Sequence, residues 1–365
     1  MFTNKAFDIL SDWYKSKSSC LHILSQTIYF IIAHLLYWIK HGFKEISGIS
    51  KVLEEMRLQG RKVCFFTRID IIFEFIFYGF MTSEYLSYHF EKTPFKKRRT
   101  FYSEMDHWIF SHVSNKKEDI WKLKNKRLAY EIFKDYYKRE QIIINSKSDF
   151  ENYAFFASKH PIFFLKPYAG CGGVNSGWFN TNNYSSLTES FEEILSYGSS
   201  VLEEGVVQCE EMSKFNPDSI NTVRIVTIRR KDKLINWFSF VRTGRKGCPV
   251  DNGGKGGIII DVDINTGKMC SDGINELGVF YKNHPDTGIT FKDFKLPFWN
   301  ETLDMAISLM ELMPNVNCIG WDFAITDNGP VVIEANGQTA FIGPQITRQK
   351  GIKDECENII MNLPR

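Results

Sequence analysis

The first 120 residues carry apolar side chains at intervals of three and four positions, the spacing of amphipathic helices. Only one proline, Pro94, interrupts this pattern, so we expect a helix on each side of it. The segment from 121 to 145 keeps the same spacing and predicts one further amphipathic helix. The pattern therefore predicts a mostly helical N-terminal region.

From Pro161 onward the pattern changes to short apolar runs separated by glycine and polar turns, which is typical of β-strands. The predicted strands are PIFFLKP, VNSGWF, SSVLEEGVV, NTVRIVTIRR, LINWFSFVR, GGIIIDVDI, CIGWDFAIT and PVVIEAN. Two helices are predicted among them: SLTESFEEILSYG, with a cap at Ser186 or Thr188 and Gly198 at its end, and ETLDMAISLMELM. Because helices and strands do not alternate regularly, the predicted fold class is α+β.

The last two predicted strands carry polar residues on one face. The sequence Asp327-Asn328-Gly329 predicts a three-residue loop, a type I turn closed by glycine, in which Thr326 pairs with Pro330. Counting back along each strand sets Asp322 opposite Glu334, with Asn336 on the same face. The other face then supplies apolar side chains to a core, namely Trp321, Phe323, Ile325, Val331 and Ile333.

Carboxylates held directly opposite each other repel unless a cation lies between them. Oxygen ligands suit Mg²⁺, which also shares its ligand shell with phosphate groups. Asp322, Glu334 and Asn336 are therefore candidate metal ligands, with a solvent-exposed acidic face as the alternative. A loop of only two residues would make Asp322 share a face with Ala335, and this metal site would not form.

A lysine followed by a glycine-rich loop forms a second candidate site. Lys166 ends a predicted strand, and Gly170, Gly172 and Gly173 follow it. Backbone amides in such a loop can approach phosphate oxygens closely. The spacing matches neither of the common glycine-rich nucleotide motifs, so a tight hairpin turn is the alternative.

Further along the chain, VLEEGVV is followed by Glu210 and Glu211. A strand that leaves a sheet can present backbone amides to adenine, and a later carboxylate can bind ribose, although acids are common on any surface. Arg224 and Arg242 lie on successive predicted strands, ahead of Asn252 and a glycine-rich run. Arginines on strands that face a cleft suit phosphate and acyl-phosphate oxygens, and exposed strand arginines are the alternative.

Composition narrows the class of protein. The chain has 365 residues and a net charge of +2, which suggests two or three domains and no affinity for nucleic acid. Its eight cysteines are scattered singly, without a CxxC pair or a zinc-like Cys/His spacing. Free buried thiols in a reducing cytoplasm are the simplest interpretation, and any metal would use oxygen ligands.

One apolar stretch, residues 20–39, has about the length of a membrane-spanning helix. His22, Gln26 and His34 interrupt it, and the basic residues Lys40 and Lys44 follow. A packed helical domain is the favoured interpretation. A helix lying on a membrane surface, with contact through residues 20–44, and a true span are the alternatives. No secretory signal of the usual design precedes it.

These motifs, taken in order, resemble the ATP-grasp superfamily, and more narrowly its sugar-transfer-associated family, close to the group linked with teichuronopeptide and capsule biosynthesis. The segments that carry the resemblance are FLKPYAGCGGVNSGWF, LEEGVVQCEEM, SINTVRIVTIRR, VRTGRKGCPVDNGGKGGI, HPDTG and IGWDFAITDNGPVVIEANGQ. The resemblance implies an ATP-grasp fold, two α+β subdomains that clasp ATP. The expected domains are a helical one at 1–120, the first subdomain with its lid at 121–205, and the C-terminal catalytic subdomain at 206–365.

The resemblance also implies a role for each matching residue. It implies that Lys126 and Lys166 contact the ATP phosphates and that Gly170, Gly172 and Gly173 form the phosphate lid. It implies that Glu203, Glu204 and Val206 line the adenine hinge. Either Glu210 or Glu211 would bind ribose. Cys209 and Glu210 stand where the family more usually has His-Pro, so the choice between the two ribose acids stays open. Catalytic contacts to the γ-phosphate and acyl phosphate are implied for Arg224, Arg242 and Asn252. Mg²⁺ binding, with Mn²⁺ as an alternative, is implied for Asp322, Glu334 and Asn336.

The activity implied by the resemblance is that of an ATP-dependent carboxylate–amine ligase. It would join an amine, such as an amino acid or peptide, to a carboxylate-bearing sugar or glycan, in the cytoplasm or at the inner face of the membrane. A non-catalytic ATP-binding scaffold in a polysaccharide assembly complex and a kinase that phosphorylates a hydroxyl group are the alternatives.

Overall fold

The computed structural model describes residues 19–168 and 176–364, with side chains described from residue 31 onward except at 33. Its longer helices are α1 Ser19–Leu58, α2 Phe65–Tyr78, α3 Thr82–Ser87, α4 Phe95–Arg98, α5 Glu104–Ser114, α6 Lys117–Lys124, α7 Lys126–Tyr137, α8 Phe150–Lys159, α9 Leu187–Ser196, α10 Glu210–Ser213, α11 Trp299–Glu311, α12 Ile342–Arg348 and α13 Lys353–Met361. The described part of the N-terminal region is helical as predicted, and Pro94 stands at the N-cap of α4. Ser186 caps α9, and Gly198 follows it with φ 82°.

The strands form two antiparallel sheets. They are β1 Gln141–Ile144, β2 Ile162–Pro167, β3 Gly177–Asn180, β4 Ser200–Glu204, β5 Thr222–Arg229, β6 Leu234–Thr243, β7 Ile258–Val262, β8 Gly273–Asn275, β9 Phe280–Tyr281, β10 Cys318–Thr326 and β11 Gly329–Asn336. A four-stranded sheet has the order β1-β4-β2-β3, and a seven-stranded sheet has the order β11-β10-β5-β6-β7-β8-β9. Helices and strands are mixed without regular alternation, so the α+β prediction is confirmed.

The prediction of one helix over 121–145 is wrong. Asn125 ends α6, and its side-chain oxygen accepts a hydrogen bond from the Leu128 backbone N–H, so the same residue caps a new helix, α7. Lys138, in the left-handed region with φ 48°, then ends α7. The following β-branched run forms β1, which pairs with β4. Pairing with β4 therefore makes the residues of β1 a strand, although their spacing predicts a helix.

The seven-stranded sheet is covered on both faces. One face packs against α7 and α11 through residues such as Ile225, Trp321 and Phe323. The other face packs against the N-terminal helices together with α12 and α13, and Val226 and Phe238 share that core with residues of α1, α2 and α3. The N-terminal helices thus contribute directly to the core of this sheet. The smaller sheet packs against α8 and α9 in a core of its own.

In the part of the chain that the structure describes, no helix is long and apolar enough to cross a membrane. The six cysteines whose side chains belong to that part carry free thiols, as expected: Cys64, Cys209, Cys248, Cys270, Cys318 and Cys356. Cys64 and Cys270 are exposed, whereas the interpretation of the composition expects burial.

Candidate functional site

The hairpin of β10 and β11 has a two-residue loop, so the predicted three-residue loop is wrong. Thr326 pairs with Gly329, whose φ is 94°. The Thr326 hydroxyl donates to the Gly329 carbonyl at 2.8 Å and accepts from the Asn328 N–H at 3.2 Å, and these bonds close the tighter turn. A register shift between Asp322 and Phe323 then restores the predicted pairing of Asp322 with Glu334.

The register shift is a β-bulge that leaves Ile333 as the extra residue of β11, between Val332 and Glu334. It also corrects the predicted core face of this strand. Val332 and Ala335 reach the core behind the sheet, where Val331 and Ile333 were predicted. Val331 instead pairs with Ala324, on the face of Asp322, and Ile333 is half-buried in the bulge. Since side chains alternate along a strand, one extra residue exchanges the two faces.

Asp322 lies at the centre of a charged cluster on this face. It pairs directly with Arg224 on β5, which donates from Nε to Oδ1 at 2.5 Å and from Nη2 to Oδ2 at 2.7 Å. Arg242, on β6, places Nη2 at 2.9 Å from Oδ2. Asn336 donates to the same oxygen at 3.3 Å. The structure therefore brings together two predicted metal ligands and both predicted catalytic arginines.

The charges in this cluster stabilise one another. Burial alone would raise the pKa of Asp322, but the charges and hydrogen bonds of Arg224 and Arg242 outweigh it and lower that pKa. Burial acts to lower the pKa of Arg242, but Asp322, Asp251 and Glu334 raise it. Asp322 is therefore an anion and Arg242 a cation at neutral pH. Together with Arg224, the cluster holds two guanidinium groups around one buried carboxylate.

Glu334 completes the polar row and differs from Asp322 in its surroundings. It is exposed and forms no ion pair within the described residues, so its carboxylate is available to a ligand. Asp322 is only 1% exposed, and its oxygens already accept four hydrogen bonds or ion pairs. A carboxylate has about four lone-pair sites, so a metal ion would have to replace one of these contacts.

The longest contact to Asp322, that of the Asn336 amide, is the easiest to replace. Rotating this amide by half a turn would exchange its N–H₂ for an oxygen, and Asp322, Glu334 and Asn336 would then all present oxygen atoms. That donor set fits Mg²⁺. Among the described residues, no group of three or more acidic, histidine or cysteine side chains is arranged to hold a metal ion.

Arg224 is held from its other side by Thr339, whose Oγ1 lies 3.0 Å from Nη1. Gly320 makes this approach possible, because a Cβ there would lie 2.2 Å from Thr339 Oγ1 and 3.3 Å from Arg224 Cδ. The Thr339 carbonyl lies 2.7 Å from Nε2 of His107, a buried residue of α5. The N-terminal helices thus help to position the arginine that binds Asp322.

A second charged cluster links the two sheets. Glu203 on β4 accepts from Lys166 Nζ at 2.8 Å and from Arg139 Nη2 at 3.0 Å. Arg139 Nη1 also donates to the Val332 carbonyl at 2.5 Å, and Nη2 lies 3.5 Å from the Ile333 carbonyl. The bulge of β11 is therefore bound to the smaller sheet, and the two clusters lie on neighbouring residues of one strand.

Burial would raise the pKa of Glu203, but the charges of Arg139 and Lys166 outweigh it and lower the pKa to about 2. Glu203 thus holds the Lys166 ammonium group at the end of β2. Sequence reasoning missed Arg139. The only signal was an arginine just before a β-branched run, and its partners depend on the order of the strands.

Lys126 and Lys166, the predicted phosphate ligands, meet at the end of β2. Lys126, the first residue of α7, donates from Nζ to the carbonyl of Pro167, which follows Lys166. The hydroxyl of the next residue, Tyr168, donates to the side chain of Asn125 at 3.2 Å. The predicted lid glycines, Gly170, Gly172 and Gly173, lie outside the described residues.

The predicted adenine hinge follows β4. Glu204 forms two hydrogen bonds with Glu140. Its backbone N–H donates to the Glu140 carbonyl at 2.9 Å, and its side chain accepts from the Glu140 N–H at 3.0 Å. Val206 is half-buried outside any regular element. The Cys209 N–H donates to the Ile325 carbonyl at 2.8 Å and ties this segment to β10.

The two candidate ribose acids lie on α10 and join neither charged cluster. Glu210 is 87% exposed at its side chain and lies 3.9 Å from Lys214. Glu211 is also exposed, and its carboxylate lies near the Cys209 thiol. Burial is the main reason why the pKa of that thiol is raised, and Glu211 adds to the shift. Which acid would hold ribose stays open.

Asn252 belongs to a loop beside Arg242. The neighbouring residue, Asp251, lies 3.7 Å from Arg242 Nε and accepts from the Thr222 backbone N–H at 3.1 Å. Arg242 Nε also donates to the Thr222 hydroxyl at 3.1 Å. The Asn252 carbonyl accepts from the N–H groups of Lys255 and Gly257, which closes the glycine-rich turn.

Glu276, which sequence reasoning did not single out, lies against this turn. A Cβ on Gly253 would lie 2.0 Å from Glu276 Oε1, so the glycine leaves room for the carboxylate. Although the residue as a whole is exposed, packing around its carboxylate raises the pKa, and the charge of Arg242 partly offsets that effect. The side chain forms no ion pair within the described residues. The position of Glu276 near Arg242 depends on how these loops fold, and the sequence alone does not show it.

The loop that carries Glu276 is held by the N-terminal helices. The Ser87 hydroxyl donates to the Glu276 carbonyl at 2.5 Å, and His89 Nε2 lies 2.9 Å from the Gly278 carbonyl. Gln59 donates to the Leu277 carbonyl at 3.0 Å. Side chains at or just after the C-terminal ends of α1 and α3 thus hold the backbone of this loop.

A family model described as sugar-transfer associated ATP-grasp matches residues 109–360, more than half of the chain. No curated protein matches the sequence significantly. The chain is similar to the solved structure of D-alanyl-alanine synthetase A from Vibrio cholerae, with 11% identity, 71% of this chain and 72% of that chain covered, and a TM-score of 0.45.

Two further solved structures are similar at the same level. The ATP-grasp ligase PsnB, complexed with minimal precursor, Mg and ADP, shows 14% identity over 72% of this chain and 69% of that chain, with a TM-score of 0.42. VanG D-Ala:D-Ser ligase from Enterococcus faecalis shows 10% identity over 73% of this chain and 70% of that chain, with a TM-score of 0.45. Likenesses this weak carry no weight for activity, whereas the family match spans both charged clusters.

Proposed function

Because the chain belongs to the sugar-transfer associated ATP-grasp family, we propose that it is an ATP-dependent carboxylate–amine ligase that acts through an acyl phosphate. The observation that carries the proposal is the cluster of Asp322, Arg224 and Arg242, with the free carboxylate of Glu334 opposite Asp322. Two guanidinium groups beside a candidate metal position suit a reaction in which negative charge gathers on phosphate oxygens.

The first step of the proposed reaction is phosphoryl transfer. A carboxylate oxygen of the substrate attacks the γ-phosphorus of ATP, the bond to the β-phosphate oxygen breaks, and ADP leaves. Lys126 and Lys166, which meet at the end of β2, are proposed to neutralise the triphosphate. Mg²⁺ bound by Asp322, Glu334 and Asn336 would neutralise the phosphate charge and orient it.

The second step is attack by the amine. The amine nitrogen adds to the carbonyl carbon of the acyl phosphate, the C–O bond to phosphate breaks, and phosphate leaves with the bonding electrons. The nitrogen gives up a proton to the departing phosphate, and an amide remains. Arg224 and Arg242 suit the oxygens of the acyl phosphate, because a guanidinium group can donate to two oxygens at once.

The amine must be held beside Arg242, and Glu276 is the acid that suits this role. Its carboxylate lies against Gly253, next to Asn252, and within the described residues it forms no ion pair, although the charge of Arg242 acts on it. An ammonium group would pair with it and be released as the free amine when the proton is lost. We therefore propose that the amine substrate is an amino acid or another small cationic amine.

The acid substrate is proposed from the family description. A family associated with sugar transfer favours a carboxylate on a sugar, so a uronic-acid sugar of a surface or capsular polysaccharide is the proposed partner. Glu203, Glu204 and Val206 are proposed for the adenine hinge, and Glu210 or Glu211 for ribose. The lid is proposed for Gly170, Gly172 and Gly173.

ADP release, measured with candidate amino acids and uronic-acid glycans, tests this proposal. Wild-type protein should release ADP over many turnovers only when both substrates are present, and mass spectrometry should show a new amide. Asp322→Asn should release none. If ATP binds but neither ADP nor amide appears, the ligase proposal is wrong and a non-catalytic scaffold is supported. A phosphoester product would instead support a kinase.

A further inference from the structure

The long helix α1 presents an apolar stripe to solvent. Leu35, Ile39, Phe43 and Ile46 recur at intervals of three and four residues and are all exposed, Ile39 to 74% and Phe43 to 91%. The face that packs on the rest of the protein is a different one and includes Tyr37 and buried residues further along the helix. A helix needs only one apolar face to pack on its own core, so the exposed stripe of α1 is a second apolar face that the core does not cover.

The neighbouring helix α2 carries a second stripe. Phe66 and Phe77 are exposed to 74% and 58%, Ile69 is exposed to 46%, and Phe73 is half-buried between them. These residues again recur at intervals of three and four positions. The stripe is turned away from the buried face of α2, which includes Ile71 and other core residues.

The two stripes belong to adjacent, antiparallel helices. His34 on α1 lies 3.0 Å from the Ile76 carbonyl near the end of α2, and Arg68 near its start donates to Ser50 at 2.8 Å. Between these points Trp38 stacks on Phe75 and is itself 36% exposed. Exposed apolar side chains therefore lie along both helices of one packed pair, which we call the apolar face.

Within residues 31–50 and 62–78 every exposed charged residue is basic, whereas Glu54 further along α1 is an exposed acid. Over residues 31–50 and 62–78, the exposed charged residues are Lys40, Lys44, Lys62 and Arg68. The three acids of these ranges turn inward. Glu45 accepts two hydrogen bonds from Thr82, and Asp70 and Glu74 pair with arginines of α4 and its end.

Exposed basic residues also lie on α4, next to the apolar face. Phe95 is half-exposed and contacts Phe73 of the apolar face at a ring distance of 6.3 Å. The next two residues, Lys96 and Lys97, are both exposed. Apolar residues and basic residues therefore share one side of the N-terminal region.

We propose that the apolar face binds the surface of an anionic lipid bilayer. Exposed aromatic and aliphatic side chains bordered by lysine and arginine suit the boundary between acyl chains and anionic headgroups. A second copy of the chain fits less well, because pairing two such faces would bring their basic residues together. The helices lie on the bilayer, since none of the described ones can span it. Lipid binding goes beyond the ligase proposal and does not depend on it.

Full-length protein sedimented with lipid vesicles tests the proposal. Vesicles of phosphatidylcholine with phosphatidylglycerol should carry the wild-type protein down, and vesicles of phosphatidylcholine alone should carry much less. Phe43→Ser with Phe66→Ser should lower the partition coefficient at least tenfold. Lys40→Gln with Lys44→Gln should lower it by about fivefold per charge and weaken its salt dependence.

Phe155→Ser is the matched control, because Phe155 is an aromatic residue of α8 exposed to 62%, away from the apolar face. It should bind vesicles like the wild type. Thermal unfolding shows whether each variant is folded, and light scattering measures its mass. The proposal is overturned if wild-type protein ignores anionic vesicles or if the folded Phe43/Phe66 variant binds them unchanged. A dimer that dissociates in that variant would identify the face as a protein interface instead.

Discussion

Arg224 and Asp322 stand directly opposite each other on β5 and β10, and the guanidinium group donates to both oxygens of the carboxylate, at 2.5 and 2.7 Å. Both side chains are buried, so neither can be hydrated if the other is removed. Removing one partner of a buried ion pair costs about 3–5 kcal/mol, whereas replacing both by apolar residues can be nearly neutral.

Arg224→Met should therefore lower the free energy of unfolding by about 3 kcal/mol, the lower end of this range, because Arg242 still contacts Asp322. Asp322→Leu should lower it by about 5 kcal/mol, because it leaves both arginines without their partner. The double variant Arg224→Met with Asp322→Leu should lose less than the sum of these two single variants, because only Arg242 is then left without its partner. Urea unfolding of the four proteins measures this coupling. Strictly additive losses would show that the pair is not coupled in the folded protein.

Glu334→Gln should separate activity from stability. Glu334 is exposed and forms no ion pair in the described part of the chain, so we expect the free energy of unfolding to change by less than about 0.5 kcal/mol. ADP release should fall on the order of a hundredfold, and more Mg²⁺ should be needed for the remaining activity. Glu301→Gln, an exposed acid in the first turn of α11, is the control and should leave both quantities unchanged. Full activity of Glu334→Gln would remove Glu334 from the proposed metal site.

Glu203 should make the free energy of unfolding depend on pH in the acidic range. Its pKa is lowered from the usual 4.5 to about 2, so the folded protein binds this proton less readily than the unfolded chain. The resulting stabilisation, about 3 kcal/mol, is complete above pH 4.5 and is lost as the pH falls toward 2.

Glu203→Gln should be less stable than the wild type near neutral pH, and its stability should fall less between pH 4.5 and 2. Urea unfolding at several pH values measures both curves. If the two curves stay parallel through this range, Glu203 is not the group that titrates.

Gly320→Ala should reduce activity by moving Arg224. The new Cβ would lie 2.2 Å from Thr339 Oγ1, so Thr339 and the arginine that it holds must shift. Small displacements of catalytic groups cost roughly 10- to 100-fold in rate, and we expect that loss in ADP release. Gly48→Ala is the control, because its Cβ would meet only Thr82 Oγ1 at 3.6 Å and alanine favours the helix. Unchanged turnover in Gly320→Ala would show that the site tolerates the shift.

Glu276→Gln should raise the KM for the amine and leave the KM for ATP unchanged. A charge-assisted hydrogen bond is worth roughly 1.5–3 kcal/mol, so we expect an increase on the order of ten- to a hundredfold. Leu277→Ala, in the same loop, is the matched control because its side chain is exposed and its carbonyl still accepts from Gln59. An effect on the KM for ATP alone would place Glu276 at the nucleotide and not at the amine.

The predicted pairing of Asp322 with Glu334 is correct only because two departures from the predicted hairpin cancel each other. The loop is one residue shorter than its composition suggests, and the bulge at Ile333 adds one residue back. Turn type depends on the Thr326 side chain, and the bulge carbonyls are bound by Arg139 from the other sheet. Neither of these contacts can be predicted from the sequence of the hairpin alone.

Arg139 and Glu276 could not be found from spacing, because each acts through residues far away in the sequence. Arg139 reaches Glu203 only because β1 and β4 are neighbours. Glu276 reaches the Gly253 turn only because β7 and β8 pair antiparallel, Ile258 with Asn275, which sets the residue after β8 beside the turn before β7. The order of strands carries this information, whereas periodicity shows only which face of a strand is apolar.

The helices that precede residue 109 lie outside the matched family region but cover one face of the larger sheet, including Val226 and Phe238. They also hold the Glu276 loop and the Thr339 carbonyl through side chains such as Ser87 and His107. A chain trimmed to the matched region would expose that apolar face and aggregate. For protein production, and for comparing relatives, the N-terminal helices and the seven-stranded sheet belong together because they share one hydrophobic core.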